Sequence, residues 1–504
     1  MAMEIDTAED IAEHVPVKAA LPKRPTTLPV DDAHPFDLDA YISAYSGRTV
    51  VDRLVYIVSL CPTIAPQAYK LAVEQILQLR DTAVVHALTH AYNRTKKENP
   101  DLNLPPPEDI AVVSEDWIKE TTKKNALEKN KLEVELKTYT SNMIKESIRM
   151  AHRDLGEFYR SIGDYTAALK HYAKSREFCT SNQHVLDTCL SVLELLLEQR
   201  NYSHVSTYLF KAEAALEALV SSRSGNNSSA ASQQQPPAAV QAAKEKFAAE
   251  KEKTQTKLDV ATALSQMGQQ AYEKAANSFL KAGPIKGLED WASKIVAPGD
   301  IAIYATLCAL ATFSRAQIQN MLQNNDNFGV YIEQETYVRD LLEAYVGNRF
   351  KTVLDILERY STRHYVDIHL SNHVPALITN IQSRALVLYF QPFQSIRLDR
   401  MSAAFGWDID FMEKQVVNLI QRGEIQGRVD RQNKILQAKT VDQRSQLFAR
   451  ALKSGQEMQA TNRKLLLRLK LQQADLVIKA PKSQNSQNFS QPGYAEFYGD
   501  PRQL

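Results

Sequence analysis

The stretch GDYTAALKHYAKS, Gly163 to Ser175, sets an aromatic, an alanine, an aromatic and a small residue at Tyr165, Ala168, Tyr172 and Ser175. Intervals of three, four and three put all of them on one face of an α-helix. The same intervals return at Tyr272, Ala275, Phe279 and Ala282, and more loosely at Tyr202, Val205, Leu209 and Ala212. Shorter echoes stand at Phe313 and Ala316 and at Phe350, Val353 and Leu357. A chain that repeats one helical unit stacks its copies, each burying its apolar stripe on the next.

Just upstream, Leu155, Gly156 and Tyr159 precede Ala168 and Tyr172 at the offsets of a tetratricopeptide-type repeat. In such a repeat a small residue lets two antiparallel helices approach and an aromatic fills the gap between units. The spacing therefore predicts a helical repeat array over 114–360, whose pattern residues form interhelical core and whose function lies on its concave face or at its ends. Inside it, SSRSGNNSSAASQQQPPAAVQ has almost nothing to bury, and 221–245 is expected as a flexible insert.

The flanks follow from periodicity and its loss. Residues 1–35 are rich in Pro, Ala and charge without a period, the composition of a disordered arm. From 36 to 100, Leu54, Ile57 and Val58, then Tyr69, Val73, Ile76 and Leu77, recur at helical spacing between Gly47, Pro62 and Pro66, which predicts four short helices. PDLNLPPPEDI breaks them off. After about Arg384 the pattern changes to a short extended element at Ile396 to Leu398, a brief helix through Met401 and Phe405, and a second helix through Met412, Val416 and Leu419 stopped by Gly423. IQGRVD and ILQAK then flank the polar turn Arg431 to Lys434. Helix, helix and hairpin in that order are the plan of a winged helix, assigned to 361–440. From 441 to 478 the chain has no proline and one glycine, so one long helix is expected; the tail, 479–504, is polar and expected to be disordered. The fold class is mainly α: a tetratricopeptide-like array, a winged-helix module and a long C-terminal helix.

Composition narrows the function classes. At 504 residues the chain exceeds one hydrophobic core and asks for roughly three units or one extended array. With 60 basic against 59 acidic residues, no global field draws it to nucleic acid or an anionic membrane. Cys61, Cys179, Cys189 and Cys308 form no Cys-x-x-Cys pair, which suits free thiols in a reducing compartment. The opening MAMEIDTAEDIAEHVP lacks an apolar signal core, and the most apolar run, Ala302 to Phe313, is shorter than the roughly 20 residues of a membrane span. A soluble intracellular protein, with no membrane partner, is the expectation.

Catalytic signatures are missing. His86 and His90, and separately His369 and His373, stand one helical turn apart, the spacing of a shared metal. Neither pair brackets the glutamate that would activate water, and no His-x-His occurs. No glycine-rich phosphate loop or Gly-x-Ser-x-Gly elbow is present. No catalytic, cofactor or metal residue is assigned, no cofactor is expected, and the chain reads as a non-enzyme. A winged-helix regulator of nucleic acid is the rival from another class. The helix that would enter the groove carries Asp408, Asp410, Glu413 and Glu424 against Lys414 and Arg422, which would repel phosphate and disfavours that reading.

Two features point to protein partners. The wing strands end a small sheet, and an uncovered edge at Ile425, Val429, Ile435 and Leu436 would accept a neighbouring strand or domain. The terminal helix carries Phe448, Leu452, Leu465, Leu466 and Leu469, more apolar surface than a lone helix should display, to be covered either by a partner or by packing back on its own domain.

A helical array leading into a winged helix resembles the PCI-domain family of the proteasome lid, the COP-nine signalosome and a translation initiation factor. VDRLVYIVSLCPT, MIKESIRMAHRDLGEFY, DIAIYATLCALATF and VDRQNKILQAKTVDQRS are similar to the signalosome's first-subunit family, from about Ala40 to about Glu457 with the insert left out. The resemblance implies a non-catalytic scaffold in a complex that removes Nedd8 from cullins and so regulates cullin-RING ligases. The isopeptidase zinc would belong to a separate metalloprotease subunit met only indirectly. It further implies that Ile425 to Lys439 meets another PCI subunit, the second or third, and that Val441 to Ile478 enters a helical bundle. Residence in cytoplasm and nucleus goes with that reading, and a proteasome-lid scaffold is the nearest alternative.

Overall fold

The computed structural model describes residues 27–226, 237–439 and 443–476. The chain divides into one large unit ending at Ala438 and a second beginning at Lys439.

The large unit opens with the helices Leu38–Ser43, Arg48–Leu60, Ala65–Ile76 and Ala83–Glu98. Gly47, at φ +69°, supplies the left-handed turn before the second of them. Val51, Leu54, Ile57 and Val58 recur at three and four and are fully buried, together with Ala68, Ala72, Leu88 and Tyr92. The Thr95 hydroxyl donates to the Val58 carbonyl at 2.9 Å and closes the group. Order begins earlier than Phe36. Leu28 is buried, its N–H donates to the Leu60 carbonyl at 2.8 Å, and the Pro29 carbonyl accepts from the Thr362 hydroxyl at 2.8 Å. An aperiodic segment is thus held by tertiary partners that periodicity does not register; residues 1–26 lie outside the described residues.

Past the proline-rich break, the Ser114 hydroxyl caps the helix Glu115–Ser141 by accepting from the Trp117 N–H at 3.2 Å. The first repeat is the hairpin of Lys145–Ile162 and Tyr165–Glu177, turned by Gly163 at φ +89°. A Cβ on Gly156 would sit 2.7 Å from the Tyr172 ring, so glycine is what lets that aromatic wedge between the two helices. The second copy lies on Tyr202–Asn226, paired with Asn182–Glu198, and the third on Tyr272–Lys281, paired with Pro237–Gly268. Tyr272, Ala275, Phe279 and Ala282 are all buried. The insert expected at 221–245 is narrower: helices reach Asn226 from one side and start at Pro237 on the other, and 227–236 lie outside the described residues.

Pro298–Thr312 is apolar all round and buried from Ile301 to Ala311, which makes it the central helix of the unit. The echo at Phe313 and Ala316 is only half a repeat unit. Phe313 is buried, but Ser314 caps a new helix, Arg315–Asn324, which turns Ile318 and Met321 inward and leaves Ala316 exposed. The last copy, Phe350–Arg359, buries Phe350, Val353 and Leu357, and the Phe350 ring stacks on Phe405 with centroids 5.4 Å apart. That stack joins the array to the module that follows.

Candidate functional site

The module after the helix Val374–Phe390 consists of β1 Ser395–Arg397, the helices Leu398–Phe405 and Ile409–Gln421, β2 Gly427–Asp430 and β3 Ile435–Ala438. Gly406 at φ +71° ends the first helix. The Asp430 carboxylate accepts from the Gln432 N–H at 3.0 Å and tightens the wing turn.

The sheet order is β1-β3-β2, all antiparallel. This corrects the expected edge. Leu436 faces Ile396 across one ladder and Val429 across the other, so β3 is the central strand. Ile425 and Leu436 are buried in the module's own core, and Val429 and Ile435 are half-buried. The extended element at Ile396 is the missing partner: it returns to cover the side of the hairpin expected to be open. The strands that remain at the sheet's edges are β1 and β2.

The second unit is the helix Gln443–Gln473, with an exposed apolar population among its described side chains. Phe448 is 67% and Leu466 58% exposed, and Leu452, Leu465 and Leu469 are likewise open. Burying a leucine is worth about 1.5–3 kcal/mol, so such a row is a large unmet driving force.

The histidines do other work. His86 and His90 are exposed on Ala83–Glu98. His369 and His373 are buried and apart in role: the Nδ1 of His369 lies 2.7 Å from the Tyr202 hydroxyl, that of His373 3.3 Å from the Tyr272 hydroxyl. Burial lowers the pKa of His369 to about 4, keeping it a neutral hydrogen-bonding ring. Among the described residues no three His, Cys, Asp or Glu side chains converge as a metal cluster.

What sequence reasoning missed is a buried ionic knot. Arg53 is fully buried and donates to Asp367 at 2.7 Å and to the Tyr41 hydroxyl, with Asp300 at 3.5 Å. Asp367 also accepts from the Tyr304 hydroxyl at 2.6 Å and from the backbone N–H groups of His369 and Leu370, both at 2.9 Å. Asp300 accepts from Tyr45 and from Arg363 at 2.6 Å. Burial pushes the Asp367 carboxyl up, but Arg53, His369 and the hydrogen bonds outweigh it and hold it below the usual carboxylate range. The knot ties the first helices to the central helix and to the segment 361–367 that precedes the helix Val374–Phe390. The signal for it was Arg53 itself, a charge inside the apolar run of VDRLVYIVSL.

A cleft of about 650 Å³ runs beside Arg48, Asp81, Arg160, Glu194 and Glu198. Its charges answer one another: Arg48 pairs with Asp81, and Arg160 with Glu194 at 2.7 Å and with Glu198. Among the described residues no helix is long and apolar enough to cross a membrane.

Antiparallel hairpins that end in a winged helix define a PCI-type scaffold subunit, and residues 357–440 match the PCI domain family. Residues 114–321 match the family described as 26S proteasome subunit RPN7. Within that class the chain is 31% identical over 492 residues to the COP9 signalosome complex subunit 1b of Drosophila melanogaster, covering 90% of this chain and 88% of that one. It is 30% identical over 449 residues to the COP9 signalosome complex subunit 1 of Arabidopsis thaliana, covering 88% and 91%. A 26S proteasome non-ATPase regulatory subunit 6 of Caenorhabditis elegans is 21% identical over 339 residues, covering 65% and 73%. The chain belongs to the COP9 signalosome subunit 1 family.

Proposed function

We propose that the chain is a non-catalytic scaffold of a signalosome that removes Nedd8 from cullins and thereby regulates cullin-RING ubiquitin ligases, in cytoplasm and nucleus. The observation that carries this reading is the terminal helix, whose exposed Phe448, Leu452, Leu465, Leu466 and Leu469 would be buried in a bundle of partner helices. The open strand edges at β1 and β2 would set the winged helix against a neighbouring PCI subunit, the second or third of the complex. The metalloprotease subunit would be reached only through those neighbours.

Deletion from Gln443 onward tests the reading. The truncated chain should keep its thermal unfolding transition and lose its co-purifying subunits. Full recovery of every subunit by the truncated chain would refute the bundling role. Mass spectrometry of the proteins bound to the intact chain should find cullins; proteasomal ATPases in their place would favour the lid reading, which the 114–321 match keeps in view.

A further inference from the structure

We propose that the terminal helix Gln443–Gln473 binds acidic amphipathic helices of partner chains, one along its first half and at least two around Leu465–Leu471. This rests on the bundling role above and adds the number and charge of the helices it meets. At about 100° per residue, Leu447, Phe448, Leu452 and Met458 fall within an arc of roughly 140°. That is the width of a single contact seam. Leu465, Leu466, Leu467, Leu469 and Leu471, all exposed, spread over roughly 240° of the circumference. One partner cannot cover so wide an arc, since a helix apolar on most sides is covered from most sides.

Charge selects the chemistry of those partners. Residues 443–476 hold seven lysine and arginine side chains against only Glu457 and Asp475. Arg463 and Lys470 project within the apolar arc, between the directions of Leu466 and Leu467, rather than opposite it. A helix lying on a membrane keeps its cations on the far side from its apolar face. Cations set into the seam call for carboxylates at the flanks of the facing helices, the arrangement of interhelical ion pairs in a bundle.

The full-length chain co-expressed with the other subunits of its complex tests this. The paired change Arg463→Glu and Lys470→Glu should cut recovery of the assembled complex about tenfold, as like charges meet in the seam. The conservative Arg463→Lys with Lys470→Arg should restore it. A photo-cross-linker at position 463 should capture segments with an excess of Asp and Glu. Leu466→Asp with Leu469→Asp serves as the reference. If it abolishes assembly while charge reversal leaves recovery at the native level, or the captured segments are neutral or basic, the acidic partner is refuted and bundling survives. If the leucine pair changes nothing, bundling fails and this inference falls with it. Charge-sensitive binding of the intact chain to phosphatidylserine vesicles, with assembly untouched by charge reversal, would also overturn it. The exposed position of these residues lets the unfolding temperature of the array serve as the folding control.

Discussion

Arg53 and Arg463 are the same residue type in opposite situations. Arg53 is sealed among two aspartates and several tyrosines, while Arg463 sits on a helix whose described side chains are all open. Around Arg53 each charge is answered within the chain; along the terminal helix the leucines stand exposed. The contrast teaches that this protein separates the interactions that make it fold from those that make it assemble. Stability and assembly should therefore respond to different substitutions.

The largest effect is expected at the knot. Asp367→Asn or Arg53→Met would strand its buried partner and should cost about 3–5 kcal/mol in urea unfolding. A loss below 1 kcal/mol would mean that the knot is ornamental and the contrast too sharply drawn. Gly156→Ala comes next, because its methyl would press on Tyr172; about 1–3 kcal/mol is expected, with Tyr172→Leu in the same chain relieving the clash.

A pH titration sharpens the interior side further. Burial lowers the pKa of His364 to about 3, and of His152 and His369 to about 4, from an ordinary 6.5. A lowered histidine pKa means that the unfolded chain takes up the proton first. Stability should thus be fully present above about pH 6.5 and fall as the pH drops towards about 4. A urea midpoint that stays flat across that window would contradict the neutral, buried rings. The smallest effect belongs to the other side of the contrast: Leu466→Asp with Leu469→Asp should move the array's stability by no more than about 0.5 kcal/mol while dispersing the complex. A large drop in unfolding temperature would show that the leucines serve the fold as well.

Local signals made much of this architecture legible. The intervals of the Tyr165, Tyr202 and Tyr272 copies, the four helices before the proline break and the helix-helix-hairpin order are short-range patterns, and short-range patterns survive in sequence. Strand order is different. Ile396 could be read as extended, but nothing near it told that it would pair with Leu436, forty positions on, and convert the expected edge into the centre of a sheet. The knot was harder still, since Arg53 and Asp367 lie 314 positions apart and neither belongs to a motif. The apolar row of the last helix was legible, but its exposure was not, because packing back on the chain would have fitted the same residues.

That separation of 314 positions also has a meaning in time. On a ribosome adding roughly 5–20 residues per second, Arg53 emerges some 15–60 s before Asp367 exists. Until Asp300 and then Asp367 have been made, its guanidinium has no carboxylate of the knot to bury with and must stay hydrated. The helix that carries Arg53 cannot close around it until those later segments have been made, so a segment translated early is among the last to be locked.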